Sequence, residues 1–312
     1  MNLFQYTYNL VRQIPFGKLS TYGAIACALG DRIASRAVGY MMHQNPDPDT
    51  MPCFKIVHAD GRLGGFGRGM PDKIRRLTAE GISVAKGRIV DFNHVFFDDF
   101  KTEYPLQQCQ AAQRKLAQRV VLDDDFSEIS TVAGIDVAYP QQAFDVACGA
   151  YVLMEYPTAE ILETATVFQQ TFFPYIPSYL AYRELPVIEA LLKKIKTKPS
   201  VFLFDGNGVV HPRGCGLASH VGVLFNVPSV GVAKKRYSFD IEKNEVTLER
   251  RPACTELVLS AQASKPVIVS PGHRVSLSTC VSLVKQLSTY NYPEPLRQAH
   301  ILAKKMLLMQ QR

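Results

Sequence analysis

The sequence predicts an α/β protein in two parts: a mixed sheet with flanking helices over residues 105–312, preceded by a small, mainly helical helix-turn-helix unit over residues 1–87. Beyond residue 105, apolar runs alternate with helical patterns, as strands interleaved with helices do. Residues 20–45 hold two short helical stretches split at Gly30. A chain of 312 residues also has room for two folded cores.

Taken in order, Ser20 and Thr21 start the first short helix and Gly30 ends it, while IASRAVGYMMHQ carries the second up to Asn45-Pro46. MPCFKIV then reads as extended, GRLGGFGRG as a turn and DKIRRLTAEG as a short helix, closing the first part near residue 87. Residues 88–104 (RIVDFNHVFFDDFKTEY) mix aromatics and acids without a period and read as a connector. QQCQAAQRKLAQRVVL opens the second part as a helix. The runs TVAGIDVAY, ACGAYVLMEY, ATVFQQT, SVFLFDG, SVGVAK and PVIVS follow as strands, with a helix near 178–196.

The net charge of +7 is uneven: residues 1–88 hold 12 Lys and Arg against 6 Asp and Glu, which is +6 and leaves +1 for the rest. Such an excess on a small unit suits a polyanion, whose phosphates release counterions when neutralised; a merely soluble basic surface is the other reading. The seven cysteines, at 27, 53, 109, 148, 215, 254 and 280, are odd in number, spread out and free of CxxC pairs. That pattern suggests neither a disulfide framework nor a zinc site, and a reducing, cytoplasmic setting fits it. No apolar run reaches about 18 residues, and the start MNLFQYTYNLVRQIPFGK lacks the order of a signal peptide, so no membrane partner is expected.

Three carboxylates stand out in the second part. Asp136 interrupts VAGIDVAY, Asp205 ends the fully apolar SVFLFDG, and Glu184 lies in AYREL after the rigid segment PYIP. A charge delivered by a buried strand is costly without a partner, and three from separate elements suit a hard cation with oxygen ligands. Singly, each reads as readily as a cap or an ion-pair member.

The residues around them carry more. VAGIDVAY, FFPYIPSYLAYRE, FDGNGVVHPRGCGLASHVGV with PSVGVAKK, VSPGHRVSL and the closing NYPEPLRQAH together resemble endonuclease V over residues 105–312. The resemblance implies an RNase H-like fold and hydrolysis of a DNA strand on the 3′ side of a deaminated base, chiefly hypoxanthine, one bond beyond the lesion's own 3′ phosphate. It implies that Asp136, Glu184 and Asp205 hold Mg²⁺, with Mn²⁺ as a substitute ion, and that Lys234 and His220 lie at the same centre. Alone, a lysine at a strand end reads as a solvated charge. The resemblance also makes PYIP a wedge with Tyr175 as its ring, the flanking prolines fixing the backbone; without it, Tyr175 reads as a core tyrosine. Gly206, Gly208 and Gly216 then fit a pocket where backbone approaches the extruded base, which His211 and His273 could line, although structural roles suit both histidines equally. The stretch RYSFDIEKNEVTLERRPACTELVLSAQASK departs from the family pattern, which bears on substrate choice, including inosine in RNA rather than DNA.

In the first part, Cys53 alone reads as a small buried residue. Yet IPFGKLSTYGAIA, SRAVGYMMHQNP, PC, GRLGGFG and AEG resemble the DNA-binding and active-site half of O6-alkylguanine-DNA alkyltransferases over residues 8–84. This implies a winged-helix-like unit in which Tyr22 rotates the nucleotide, Arg36 enters the base stack, Asn45 supports the turn and Cys53 accepts the alkyl group. Glu80 stands where the family's proton relay ends. The relay's histidine is Phe54 here and the next arginine is Lys55. An unassisted thiol of pKa about 8.5 is only ~3% thiolate at pH 7, which slows transfer without forbidding it, and a lesion-sensing unit without transfer is the alternative.

Overall fold

The computed structural model describes residues 1–140, 146–234, 247–248, 251–252, 254–259 and 266–310. Its chain divides into two compact units, Met1–Cys109 with Phe172–Pro177, and Gln110–Thr171 with Ser178–Arg312. No helix among the described residues is long and apolar enough to cross a membrane.

In the first unit, α1 (Leu3–Val11) starts at Asn2, whose side chain accepts from Gln5 N at 3.0 Å. The pair β1 (Ser20–Thr21) leads into α2 (Tyr22–Leu29), with Thr21 Oγ1 accepting from Ala24 N at 3.0 Å. Gly30 stops α2 in the left-handed conformation, φ 104°, which a side chain would oppose. A 3-10 turn at Arg32–Ala34 passes into α3 (Ser35–His43), so the helix-turn-helix geometry expected for residues 20–45 is present.

Cys53 is not on a strand, as MPCFKIV suggested. It opens a 3-10 turn, Cys53–Lys55, because Pro52 holds φ at −73° and its carbonyl accepts from Lys55 N; only then does the chain extend into β2 (Ile56–Val57), parallel to β1. After it come α4 (Met70–Ala79), the hairpin of β3 (Val84–Ala85) and β4 (Arg88–Ile89), and α5 (Phe92–Val95). Residues 88–104 are built into this unit: Leu19 exchanges backbone hydrogen bonds with Val95 and Phe97, and the Gln13 side-chain amide donates to Lys101 O and accepts from Lys101 N. α6 (Pro105–Ala117) runs from the end of this unit into the next and stops five residues before the expected helix end at residue 122.

The second unit is built on a seven-stranded sheet. Its strands are β5 (Thr131–Ala138), β6 (Val146–Glu155), β7 (Ile161–Gln170), β8 (Val201–Asp205), β9 (Ser229–Ala233), β12 (Thr255–Leu257) and β13 (Val267–His273), with a separate small pair, β10 (Thr247–Leu248) and β11 (Arg251–Pro252), preceding β12. The order is β12-β13-β9-β8-β5-β6-β7, with β5, β8 and β9 parallel and the other neighbours antiparallel, a mixed sheet as expected. Helices α7 (Leu180–Leu192) and α8 (Leu217–Phe225) cover one face through Ala133, Ile135, Phe202 and Phe204. Helices α9 (Leu277–Gln286) and α10 (Glu294–Gln310) cover the other through Val132, Leu203, Val230 and Val269. Both faces of the central strands are buried, which is why β6, β8, β9 and β13 read as near-continuous apolar runs, whereas the edge strand β7 is largely exposed. The segment 236–265 that departs from the family pattern lies largely outside the described residues.

Candidate active sites

Strands β5 and β8 run parallel and pair as far as Ile135 with Phe204. One residue further along each stand Asp136 and Asp205. The register therefore brings two carboxylates to one sheet edge and one face, on strands about 4.8 Å apart. Glu184 arrives from α7, and both it and Asp136 are buried. Burial pushes the Glu184 carboxyl well above the usual range; Asp136 and Asp205 push the same way, and Arg183 opposes them. Burial and then Asp205 also raise Asp136, while His300 eases it. The three carboxyls thus share one electrostatic field.

Asp205 Oδ2 accepts from Lys234 Nζ at 2.6 Å, and Asp136 Oδ2 from His300 Nδ1 at 2.8 Å. Lys234 follows β9 directly, two residues beyond Val232, the register partner of Asp205. Among the described residues, no three His, Cys, Asp or Glu side chains stand in a closed ligating arrangement. What the site offers is several oxygen donors in a poorly solvated place, the donor type that hard divalent cations take.

The remaining predicted residues are less centred. His220, on α8, is 3% exposed and set edge-on to Tyr182 at 5.1 Å; its Nδ1 has no hydrogen-bond partner among the described residues, and burial holds its pKa down to about 4. His211 donates from Nε2 to Ser178 O at 2.9 Å and accepts at Nδ1 from Arg213 N, with burial and Arg213 holding it to about 3. His273, at the end of β13, accepts from Val121 N at 3.2 Å. A Cβ on Gly208 would lie 1.9 Å from Pro271 O, and one on Gly216 2.3 Å from Asn207 O, so these glycines are required by the protein's own backbone. Gly206 would meet only the side chain of Leu217 closely, at 3.2 Å. Tyr175, whose segment packs with the first unit, is 61% exposed between buried Pro174 and Ile176.

In the first unit, Asn45 Nδ2 donates to Cys53 Sγ at 3.1 Å and to Met51 O at 2.8 Å, which ties the thiol to the Asn45–Met51 turn. Burial nevertheless pushes the Cys53 thiol up, with Asn45 and then Lys73 pulling the other way. Lys73 is fully buried, donates to Ile56 O and Gly64 O, and is held down to about 8 by burial. Phe54 packs edge-on to Phe66, with the Arg76 guanidinium over both rings. Lys55 pairs with Glu80 Oε2 at 2.7 Å, and the same oxygen accepts from Gly17 N, so the carboxylate at the relay position is held by an ion pair and a backbone amide. Burial raises the Tyr22 hydroxyl, with Cys53 adding to it, and Arg36 is exposed near the start of α3.

The description "Endonuclease V" matches residues 114–301, and "6-O-methylguanine DNA methyltransferase, DNA binding domain" matches residues 2–82. The chain belongs to the endonuclease V family. It is similar along almost its whole length to proteins named bifunctional methyltransferase/endonuclease. That of Picrophilus torridus is 40% identical, covering 96% of this chain and 95% of the relative. That of Thermoplasma volcanium is 36% identical, covering 97% and 90%. A crystal structure of Ciona intestinalis endonuclease V, in complex with DNA containing an inosine followed by a ribo-adenosine, superposes with a TM-score of 0.61 at 29% identity, covering 65% of this chain and 98% of that one. The sheet of the second unit is therefore the RNase H-like fold of endonuclease V, and the chain is an endonuclease carrying an alkyltransferase-type unit.

Within this endonuclease V, sequence reasoning missed four residues that the fold brings to the carboxylates or to Cys53. His300 sits in an amphipathic helix where one histidine has no distinguishing period. Arg183, 5% exposed, lies over the Tyr139 ring at 3.8 Å beside Glu184, and its only trace in the sequence is its adjacency to that glutamate. Lys73 looks like one more surface cation in a basic helix. Tyr292 lies in the tail motif NYPEPLRQAH, where nothing in its spacing ties it to Lys234.

Proposed function

We propose that the second unit nicks DNA on the 3′ side of deoxyinosine and related deaminated bases, one bond beyond the lesion's own 3′ phosphate, and that the first unit takes an alkyl group from O6-alkylguanine onto Cys53. The observation that carries the first half is the placing of Asp136 and Asp205 near the ends of β5 and β8 with Glu184 of α7 in their field, Glu184 being destabilised by burial and by both aspartates and Asp136 by burial and Asp205. Such a set fits a divalent cation, since a cation relieves both burial and mutual repulsion. Asp136, Glu184 and Asp205 would hold Mg²⁺, which supplies Lewis-acid stabilisation of charge on the phosphate. Lys234 adds a cation at the same edge that can face a phosphate oxygen. His220, neutral at pH 7, would serve the same centre as an acceptor rather than a charge. Tyr175 fills the gap that an extruded base leaves, and the backbone around Gly206, Gly208 and Gly216 faces that base, with His211 and His273 supporting the loops.

Alkyl transfer rests on Cys53 held by Asn45, with Tyr22 and Arg36 handling the flipped nucleotide. The thiolate attacks the O6-bound carbon, the carbon–oxygen bond breaks, and guanine leaves with the electron pair and takes a proton. Intact-protein mass after incubation with an O6-methylguanine oligonucleotide tests this: a gain of one methyl group mapped to Cys53 supports transfer, and tight binding without a mass change makes the unit a lesion sensor. The ribo-adenosine in the Ciona complex favours one second reading for the nuclease, inosine in RNA. Matched deoxyinosine and riboinosine strands separate the two. A cytoplasmic location belongs to the same proposal.

A further inference from the structure

Lys234 is a long, half-exposed side chain at the end of a strand, its side chain 51% accessible, and a lysine so placed ordinarily samples many rotamers. Here it does not stand alone. Its Nζ lies 4.4 Å from the centroid of the Tyr292 ring while reaching Asp205 Oδ2 at 2.6 Å. Tyr292 comes from the short turn between α9 and α10 and packs on the apolar cluster of Val230, Val232 and Val269, so the ring has a fixed floor. Its hydroxyl donates to Val232 O at 3.1 Å, a carbonyl that also accepts from Gly206 N. Val232 is the register partner of Asp205. One tyrosine therefore touches the lysine through its ring and braces, through its hydroxyl, the β9 carbonyl that also holds the backbone just after the aspartate.

We propose that Tyr292 is a positioning residue of the nuclease centre: its ring holds the Lys234 ammonium in line with Asp205, and its hydroxyl fixes the β8–β9 strand ends from which both side chains project. The inference rests on the reading of Lys234 and Asp205 as parts of that centre. The ring supplies an attractive face for the cation, and the hydroxyl keeps the two strand ends in register. Tyr292→Phe keeps the first function and loses the second; Tyr292→Leu loses both.

The test uses the full chain. Reductive ¹³C-methylation of the lysines, with the Lys234 signal assigned by Lys234→Arg, reports the ring directly, because methyl groups over an aromatic face move upfield. The expected result is an upfield Lys234 signal in the wild type and in Tyr292→Phe, and an unshifted one in Tyr292→Leu. This readout needs neither metal nor DNA cleavage, so it stands even if deoxyinosine is the wrong substrate. In nicking assays with Mg²⁺ and a deoxyinosine duplex, Tyr292→Leu should lower kcat about tenfold with little change in KM. Tyr292→Phe should recover most of that loss. In a Lys234→Ala background, Tyr292→Leu should cost clearly less than in the wild type, no more than Tyr292→Phe costs, since the group that the ring positions is gone and only the hydroxyl's share remains. An unshifted Lys234 signal in the wild type, or an equal loss from Tyr292→Leu in both backgrounds, overturns the proposal.

Discussion

Cys53 and His220 show how burial sets the chemistry of single groups in this protein. Cys53 is raised by burial against the partial help of Asn45 and Lys73, so its thiolate is scarce at neutral pH. Transfer to Cys53 should accelerate about tenfold per pH unit from pH 7 to 8, as the thiolate fraction does below the thiol pKa. Single-turnover methyl uptake across that range measures it, and a flat profile would mean that another group activates the thiol. His220 has the opposite sign. Its folded pKa, about 4, lies below the unfolded value, so the unfolded chain binds the proton first and stability is lost as pH falls through that window. The cost is about 1.4 kcal/mol per pH unit between about 6.5 and 4. Urea unfolding at pH 7, 6 and 5 should show this slope reduced in His220→Gln; equal slopes would place the proton elsewhere. Residues whose chemistry conflicts with their neighbours were readable from sequence: Asp205 ends an unbroken apolar run, and Cys53 sits in a motif. Lys73, His300 and Tyr292 were not: Lys73 lies in a basic helix of ordinary composition, and although His300 and Tyr292 belong to the closing motif NYPEPLRQAH, each gains its role only from a residue many positions away.

At the scale of elements, the central strands were legible because both sheet faces are buried there and runs such as SVFLFDG are apolar almost throughout. Their edges were less so. The end of α6 and the turn carrying Cys53 depend on single backbone choices, such as the Lys55 N–H bonding back to Pro52, which no periodicity reports. The loop after β8 is held by contacts that leave no space: Gly208 N donates to Ser270 Oγ at 2.9 Å, and Val209 N to Pro271 O at 2.8 Å. Gly208→Ala should therefore destabilise the second unit by about 3 kcal/mol or more, since backbone rather than a flexible side chain blocks the added methyl group. A wild-type urea midpoint for that variant would contradict the packing described. Gly206→Ala, whose added methyl group would meet the side chains of Leu217 and, farther off, Leu180 rather than backbone, should cost clearly less.

For the whole molecule, the boundary between the parts was the hardest feature to read. Residues 88–104 lack a period because they follow the surface of the first unit through short pieces, hydrogen-bonded to Leu19 and Gln13, rather than forming one amphipathic element. Each unit has its own core and its own reactive group, so the two chemistries should be separable by mutation. Asp205→Asn should remove nicking while methyl uptake by Cys53 continues, and Cys53→Ala should do the reverse; loss of both activities in either variant would mean that the sites depend on each other. The most direct test of the central claim maps the cleaved bond in a duplex bearing a single deoxyinosine, incubated with Mg²⁺ and either the wild type or Asp205→Asn. The account predicts one nick on the 3′ side, one bond beyond the lesion's own 3′ phosphate, with the wild type alone. Equal nicking by Asp205→Asn, or cutting independent of the deoxyinosine, would contradict it.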